Sequence, residues 1–358
     1  MNKKIAIIGT VGLPVKYGGF ETLAEHLTKY LSHEYAMTVY CSAKSYEVKL
    51  PMHNGAKLEY INLDANGVQS IPYDILSILK SYRYADTILV LGVSGCIILP
   101  FVKFFSSKKI VANIDGLEWK REKWNKYAKW FLKFSEKQAV NYADIVITDN
   151  QVIQDYVLEE YGKESTLITY GGDHVERVSL SQEISEVYPF TNDKYAFKVC
   201  RIEPENNIHS IIEAMSMQTK LPLVIIGNWD NSNYGKDLRT KYKDIPHIHL
   251  LDPIYDQNIL DQIRANCYVY LHGHSAGGTN PSLVEAMYLE LPIFAYDVAY
   301  NLETTEHQAS YFHTASDLLD LIEKMTEGSL QKNAKSMFEI ATKRYVWKGI
   351  AKEYAKLF

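Results

Sequence analysis

The sequence predicts an α/β protein made of two doubly wound domains, each a mainly parallel sheet with covering helices. Three observations predict it. Short β-branched runs alternate with amphipathic stretches along the chain, which is the pattern of successive βαβ units. That pattern lapses over 171–193 into a polar stretch with Gly, Ser, Asn and Pro, and then resumes. A length of 358 residues suits about two domains, each able to bury its own core.

The elements follow in order. Ile5-Ala6-Ile7-Ile8 anchors a first strand at 4–10, and further strands are expected at 37–42, 57–63, 87–93, 109–114, 144–148 and 165–170. Between several of them, apolar residues recur at helical spacing over 20–33, 73–84, 122–142 and 151–161. After the polar stretch, strands are expected at 195–200, 221–227, 247–251, 267–271 and 292–296, and a helix at 345–354. No repeat or low-complexity segment interrupts this order.

Composition narrows the function classes. With 47% hydrophobic and 23% charged residues the chain reads as a soluble globular protein, and a formal charge of -5 argues against a general nucleic-acid binder. Cys41, Cys96, Cys200 and Cys267 are far apart, which suits reduced core thiols in a cytoplasmic protein and gives no zinc spacing. The first strand begins almost at once, leaving no room for a signal peptide. No apolar run approaches the ~20 residues of a membrane span; the run 87–105 is broken by glycines and Pro100.

The most informative segment runs from His272 through Gly277-Gly278-Thr279-Asn280-Pro281 to Glu285. A strand enters a glycine turn, Asn280 suits a helix N-cap and Pro281 the first helical position. Backbone N–H groups at such a start make an anion site fit for a diphosphate. Glu285, one turn later, is placed to accept hydrogen bonds from a sugar or ribose hydroxyl. After the first strand, Gly9 to Glu21 carries Gly18-Gly19 directly before a helix, where backbone can approach a phosphate or an acceptor hydroxyl. Its glycine spacing does not match the dinucleotide fingerprint. After the strand ending near Cys200 comes Arg201-Ile-Glu203-Pro-Glu205-Asn206-Asn207. An arginine there suits two-pronged contact with a diphosphate, with Glu203 and Glu205 either fixing it or capping the next helix.

Together, Pro14-Val-Lys-Tyr-Gly-Gly-Phe-Glu21, Asn113-Ile-Asp-Gly-Leu-Glu-Trp119, Arg201-Ile-Glu-Pro-Glu-Asn-Asn207 and the stretch from His272 to Glu285 span nearly the whole chain. In this order they resemble the retaining nucleotide-sugar glycosyltransferases of family 4. Those enzymes have the GT-B fold, two Rossmann-like domains facing a central cleft. The narrower resemblance is to the bacterial rhamnosyltransferase branch, the DUF1972-containing, dTDP-rhamnose-dependent type. Two departures from the broad family stand out: glycine at Gly277 where an acid is usual, and Asn206 where lysine is usual. The rhamnosyltransferase branch carries both, and a 6-deoxy sugar offers fewer hydroxyls to an acid.

The resemblance implies an acceptor-binding domain at 1–172, with the C-terminal helix 345–358 packed back on it, and a donor-binding domain at 173–344. It implies transfer of L-rhamnose from dTDP-rhamnose to a polyprenyl-diphosphate-linked saccharide in surface polysaccharide assembly, with no cofactor and no metal. Arg201, with the N–H groups of Gly278 and Thr279, would stabilise the departing diphosphate. Gly18, Gly19, Asn206, His272, Gly277, Asn280 and Glu285 complete the expected donor site. Asp115 and Glu118 are expected to orient the acceptor hydroxyl or meet positive charge developing on the sugar. Asp149 and Tyr170 stand behind them, though Asp149 reads equally as a helix N-cap. His272 and His274 are spaced for a metal, but no acidic third ligand adjoins, so contact with donor phosphate is the expectation. A sugar-nucleotide epimerase and a non-catalytic nucleotide-sugar binding protein are the rival readings.

One segment departs from the acidic average. Residues 119–134 hold Lys120, Arg121, Lys123, Lys126, Lys129 and Lys133 against Glu122 alone. At helical spacing Trp124, Tyr127, Phe131 and Phe134 share a face, with Lys126, Lys129 and Lys133 opposite. Such a helix suits an anionic membrane surface, placing the protein on the cytoplasmic face of the membrane as a peripheral protein. The plainer alternative packs the aromatic face on the sheet, since every covering helix needs an apolar side.

Overall fold

A computed structural model describes residues 2–358 except 17, 122 and 123. Tyr17 of the first glycine motif, and Glu122 and Lys123 of the basic segment, lie outside the described residues. The chain divides into two compact units, Met1–Tyr170 with Trp347–Phe358, and Gly171–Val346. The first boundary falls two residues before the expected 172. The return to the first unit comes at Trp347 rather than at 345.

In the first unit the strands are β1 (Lys4–Ile8), β2 (Ala36–Ser42), β3 (Met52–His53), β4 (Ala56–Ile61), β5 (Thr87–Leu91), β6 (Lys109–Asn113), β7 (Ile145–Thr148) and β8 (Thr166–Leu167). Among the described residues they form one sheet in the order β3-β4-β2-β1-β5-β6-β7-β8, parallel except where β3 pairs with β4. The helices are α1 (Gly19–Leu31), α2 (Ser70–Ser81), α3 (Leu99–Phe105), α4 (Lys126–Tyr142) and α5 (Gln151–Tyr161). Each central strand is apolar and buried on both faces, as Ile5 to Ile8 and Ile88 to Leu91 show.

The second unit holds β9 (Ala196–Val199), β10 (Leu223–Ile226), β11 (Ile248–Leu251), β12 (Val269–His272), β13 (Ile293–Tyr296) and β14 (Ser310–Phe312). Its sheet is parallel throughout, in the order β11-β10-β9-β12-β13-β14. Its helices are α6 (Gln182–Val187), α7 (Ile208–Ser216), α8 (Asn233–Tyr242), α9 (Gln257–Ala265), α10 (Pro281–Tyr288), α11 (Ala299–Thr304), α12 (Ala315–Lys324) and α13 (Glu327–Arg344). Ile211, Ile212, Met215, Leu223, Ile225, Trp229 and Leu271 fill one side of this sheet.

The last helix, α14 (Trp347–Leu357), belongs to the first unit. The Trp347 ring stacks on His26 of α1 at 4.4 Å, and Lys3 Nζ donates to the Phe358 carbonyl at 2.6 Å. These contacts, together with the burial of Ile350 and Tyr354, hold the C-terminus there.

Several elements were not named from periodicity, among them α6 in the polar stretch, α12 and α13, and three short ones. β3 is a two-residue strand closed on β4 by Asn54-Gly55, both at positive φ, the backbone of a tight hairpin turn. β14 is a three-residue edge strand. α3 occupies the end of the run 87–105, starting where Pro100 fits a first helical turn. All three are too short to show a period of their own.

Sheet order locates the sites. In each unit the connections run one way from one central strand and the opposite way from its neighbour, at β1/β5 and at β9/β12. The strand ends at such a switch point leave a crevice where open α/β sheets bind ligands.

Candidate functional site

At the β9/β12 switch point of the second unit, the two loops are stitched together. Ser275 donates to the Glu205 carbonyl through its backbone N–H at 2.8 Å and its hydroxyl at 2.9 Å. Asn207 Nδ2 donates to the Gly273 carbonyl at 2.9 Å. Gly273 permits this approach: a Cβ there would lie 2.3 Å from the Asn206 carbonyl oxygen. The Arg201 loop is thereby fixed beside the glycine turn, with Arg201 itself exposed.

The helix start has its expected form. Asn280 caps α10, its Oδ1 accepting from Ser282 N–H at 3.1 Å, and Pro281 is the first helical residue. Gly277 adopts φ +124 immediately upstream, and Thr279 is buried. The cap already engages Ser282, and the Asn280 carbonyl accepts from Leu283 at 3.0 Å. The helix start is thus occupied by its own cap, and Gly277, Gly278 and Thr279 form the turn just upstream of it.

Two expected donor residues sit differently. Asn206 is buried and its Nδ2 donates to the Arg201 carbonyl at 2.6 Å. It shapes the arginine loop rather than offering its amide to a ligand. His272 is fully buried, stacked on His274 at 4.5 Å between ring centroids and on Tyr270 at 6.2 Å. Neither of its ring nitrogens has a hydrogen-bond partner among the described residues. Burial, followed by the nearby Lys198, holds its pKa well below the usual histidine range. A neutral ring without exposed surface lies beneath the turn and makes no direct phosphate contact in this geometry.

Glu285 is the centre of an ion-pair network. Arg264, only 1% exposed on α9, bonds Glu285 Oε2 and pairs with Asp261 at 2.6 Å. His174 Nε2 lies 3.2 Å from Glu285 Oε1. Burial favours the neutral acid, but Arg264 and His174 outweigh it and bring the pKa down to about 2. The carboxylate is thus fixed in charge and direction, with 15% of the side chain exposed. Each oxygen retains acceptor capacity beyond these contacts. Arg264 and His174 were not found by sequence reasoning. Arg264 looks like an ordinary helix arginine, and His174 falls in the polar stretch between domains.

In the first unit, polar residues gather at the carboxyl ends of β6, β7 and β8. Asn113 Nδ2 donates to the Tyr354 hydroxyl at 2.9 Å, and its Oδ1 accepts from Asp115 N–H at 3.0 Å. Asp115 takes a left-handed φ of +57, which aspartate tolerates better than most residues. Burial, and then the charges of Asp115 and Asp149, push the Tyr170 phenol far above its ordinary value. Tyr354 is raised by burial, with the same two carboxylates contributing. Asp115, Asp149 and Tyr170 therefore share one neighbourhood, joined by Asn113 and Tyr354. The helix-capping alternative for Asp149 is excluded, because Asn150 caps α5 by accepting from Val152 N–H at 3.0 Å.

Gly18 and Gly19 stand at the start of α1, Gly18 at φ +129. A Cβ on Gly18 would meet Glu21 Oε2 at 1.9 Å, and Glu21 Oε1 accepts from Val11 N–H at 2.6 Å. The glycine lets a buried carboxylate brace the loop after β1. Glu118 is withdrawn from the expected acceptor role by local contacts. Its Oε1 accepts from Trp124 Nε1 at 3.0 Å, and its Oε2 pairs with Arg121 at 2.6 Å. Among the described residues, no group of three or more His, Cys, Asp and Glu side chains is arranged to hold a metal ion.

Residues 2–173 match a domain of unknown function, DUF1972, and residues 181–344 match Glycosyl transferases group 1. This is the domain pair of a GT-B glycosyltransferase. Solved structures share the fold of this glycosyltransferase at low identity. Sucrose-phosphate synthase from Thermosynechococcus elongatus is 14% identical with a TM-score of 0.80, over 99% of this chain and 98% of that one. Anabaena HepE in complex with UDP-glucose is 16% identical at 0.77, over 99% and 98%. α,α-Trehalose 6-phosphate synthase from Burkholderia multivorans is 10% identical at 0.76, over 100% and 96%. No curated protein sequence matches the chain.

Proposed function

We propose that the protein transfers L-rhamnose from dTDP-rhamnose, with retention of anomeric configuration, to a polyprenyl-diphosphate-linked saccharide in bacterial surface polysaccharide assembly. The observation that carries the donor assignment is the stitched switch point of the second unit. Arg201 and the backbone at Gly277 to Thr279 are held side by side there. As the anomeric C–O bond breaks, charge accumulates on the leaving diphosphate, where Arg201 and the Gly278 and Thr279 N–H groups stabilise it. The acceptor hydroxyl oxygen bonds the same face of the sugar, and its proton passes to the departing diphosphate oxygen. Glu285, held ionised by Arg264 and His174, accepts hydrogen bonds from the nucleotide ribose through its exposed edge. Asp115 and Asp149, backed by Tyr170, orient the acceptor hydroxyl in the first unit.

The bound neighbour supports the donor class: HepE has been solved with UDP-glucose. A lipid-linked acceptor places the enzyme on a membrane as a peripheral protein through residues 119–134. No helix of the described residues is long and apolar enough to cross one. A panel of nucleotide sugars, assayed for released nucleotide with and without lipid-linked acceptor, tests the reading. Acceptor-dependent release of dTDP is expected. Isomerised sugar nucleotide formed without acceptor would instead mark an epimerase, and tight binding without turnover a binding protein.

A further inference from the structure

Tyr127, Trp130 and Phe134 of α4 do not pack on the sheet. Its buried stripe is Leu132, Ser135, Glu136, Ala139 and Val140, whereas Tyr127 and Trp130 are 73% and 70% exposed and Phe134 is also exposed. Trp130, expected on neither face, takes the place of Phe131. The helix is fastened by polar contacts: buried Glu136 accepts from the Tyr156 and Tyr161 hydroxyls at 2.7 Å each and from Trp119 Nε1 at 3.1 Å. Lys133 pairs with Glu160 at 2.8 Å and lies over the Trp119 ring. It is not free for a ligand.

α3 presents a second exposed apolar face. Leu99 and Val102 are buried, but Phe101 and Phe105 are exposed and Phe104 is 83% exposed. Phe104 and Phe101 both pack on Phe105, at 4.8 and 4.6 Å between centroids. The two helices lie side by side in one layer. α3 connects β5 to β6 and α4 connects β6 to β7, two right-handed crossovers stepping the same way along the sheet. Ser135 on α4 donates to the Val93 carbonyl just ahead of α3, and Lys103 on α3 pairs with Asp144 just past α4 at 2.7 Å.

The sequence that carries these two helices is basic: residues 97–143 hold ten lysines and arginines against four acids, on a chain whose net charge is -5. One of those acids, Glu136, is buried. An open groove of about 700 Å³ beside the aromatic ridge is lined by Trp130 and Phe134 together with Lys129 and Lys137. Exposed aromatic rings set among lysines match a lipid interface with anionic headgroups: the rings enter the acyl boundary while the ammonium groups stay at the phosphate level.

We propose that α3 and α4 together form an anionic-lipid docking surface. Phe101, Phe104 and Phe105 are its inserted element, and Lys126, Lys129 and Lys137 its headgroup contacts. The proposal rests on the membrane placement proposed above, and not on which sugar is moved. Flotation with phosphatidylglycerol–phosphatidylcholine vesicles, against pure phosphatidylcholine vesicles, tests it on the full chain. The wild type should float with the anionic set. Lys126→Glu with Lys129→Glu and Lys137→Glu should weaken partitioning on the order of 10²-fold at low salt, about a factor of five per basic residue. Phe101→Ser with Phe104→Ser and Phe105→Ser should lose the binding that survives high salt. These side chains are on the surface, so circular dichroism should match the wild type for both variants. Trp130 emission should shift to the blue on vesicle addition, and Trp130→Phe should remove that component. Transfer to a soluble acceptor analogue should stay at wild-type level in every variant. Loss of transfer alone would therefore speak against the proposed function and leave the docking surface standing. Wild-type flotation by the phenylalanine variant, equal binding to neutral vesicles, or a stable dimer that covers the face would each overturn the proposal.

Discussion

Replacing Glu285 with glutamine preserves its shape and removes its charge. In the native protein that charge is held by Arg264, itself 1% exposed, and by His174. Two routes give the cost. Bringing the carboxyl from the ordinary glutamate pKa of 4.5 down to about 2 corresponds to roughly 3 kcal/mol. Breaking one partner from a buried ion pair typically costs about 3–5 kcal/mol. Asp261 still pairs with Arg264, so the lower figure is expected. For a domain of this size that is a fall in Tm of roughly 6–12 °C. The pH dependence has a definite sign. A depressed carboxylate pKa stabilises the fold fully above about 4.5, and that contribution is lost as pH falls toward about 2. Glu285→Gln should flatten this acid limb. Differential scanning fluorimetry across pH measures both effects, and calorimetric titration of dTDP-rhamnose below the variant's Tm separates stability from donor binding. An unchanged Tm and acid limb in Glu285→Gln, with donor binding abolished, would refute the network and leave Glu285 purely a ligand contact.

Arg201→Ala should lower turnover on the order of 10²–10³ with a smaller loss of donor affinity, and Arg201→Lys should recover only part of it. Steady-state kinetics on donor and acceptor check this, and near wild-type turnover would move the diphosphate site elsewhere. Lys198 on β9 is fully buried with no hydrogen-bond partner for its ammonium among the described residues, and burial lowers its pKa. Lys198→Met should therefore stabilise the fold by about 1–3 kcal/mol in urea denaturation; a loss of stability would mean that the amine has a partner in solution. His272 is buried with a depressed pKa, so below the ordinary histidine value of 6.5 the unfolded chain binds a proton that the native one does not. Stability should fall as pH drops below about 6.5, by up to about 1.4 kcal/mol per unit, and His272→Phe should remove that slope.

The sequence by itself determined the two parallel sheets, the Asn280 cap, the glycine turn and the loops that carry Arg201, Asp115 and Asp149. Each of these is written in near neighbours: strand runs, helical spacing, a cap followed by proline. Periodicity also placed helix ends within a few residues, as for α5 at 151–161. What only the tertiary structure decided is the partner of each polar group. Glu285 meets an arginine from another helix and a histidine from the polar stretch, and Asn113 meets Tyr354 from the final helix. Glu118 and Asn206, promising by position, are occupied by Trp124, Arg121 and the Arg201 backbone. The same limit governs α4. Its pattern shows aromatic and basic residues at helical spacing, but which stripe faces the sheet depends on where Glu136 finds Trp119, Tyr156 and Tyr161. Local spacing fixes backbone geometry because its interactions span a turn or two. A buried charge is settled by whichever distant group the folded chain brings within hydrogen-bond reach.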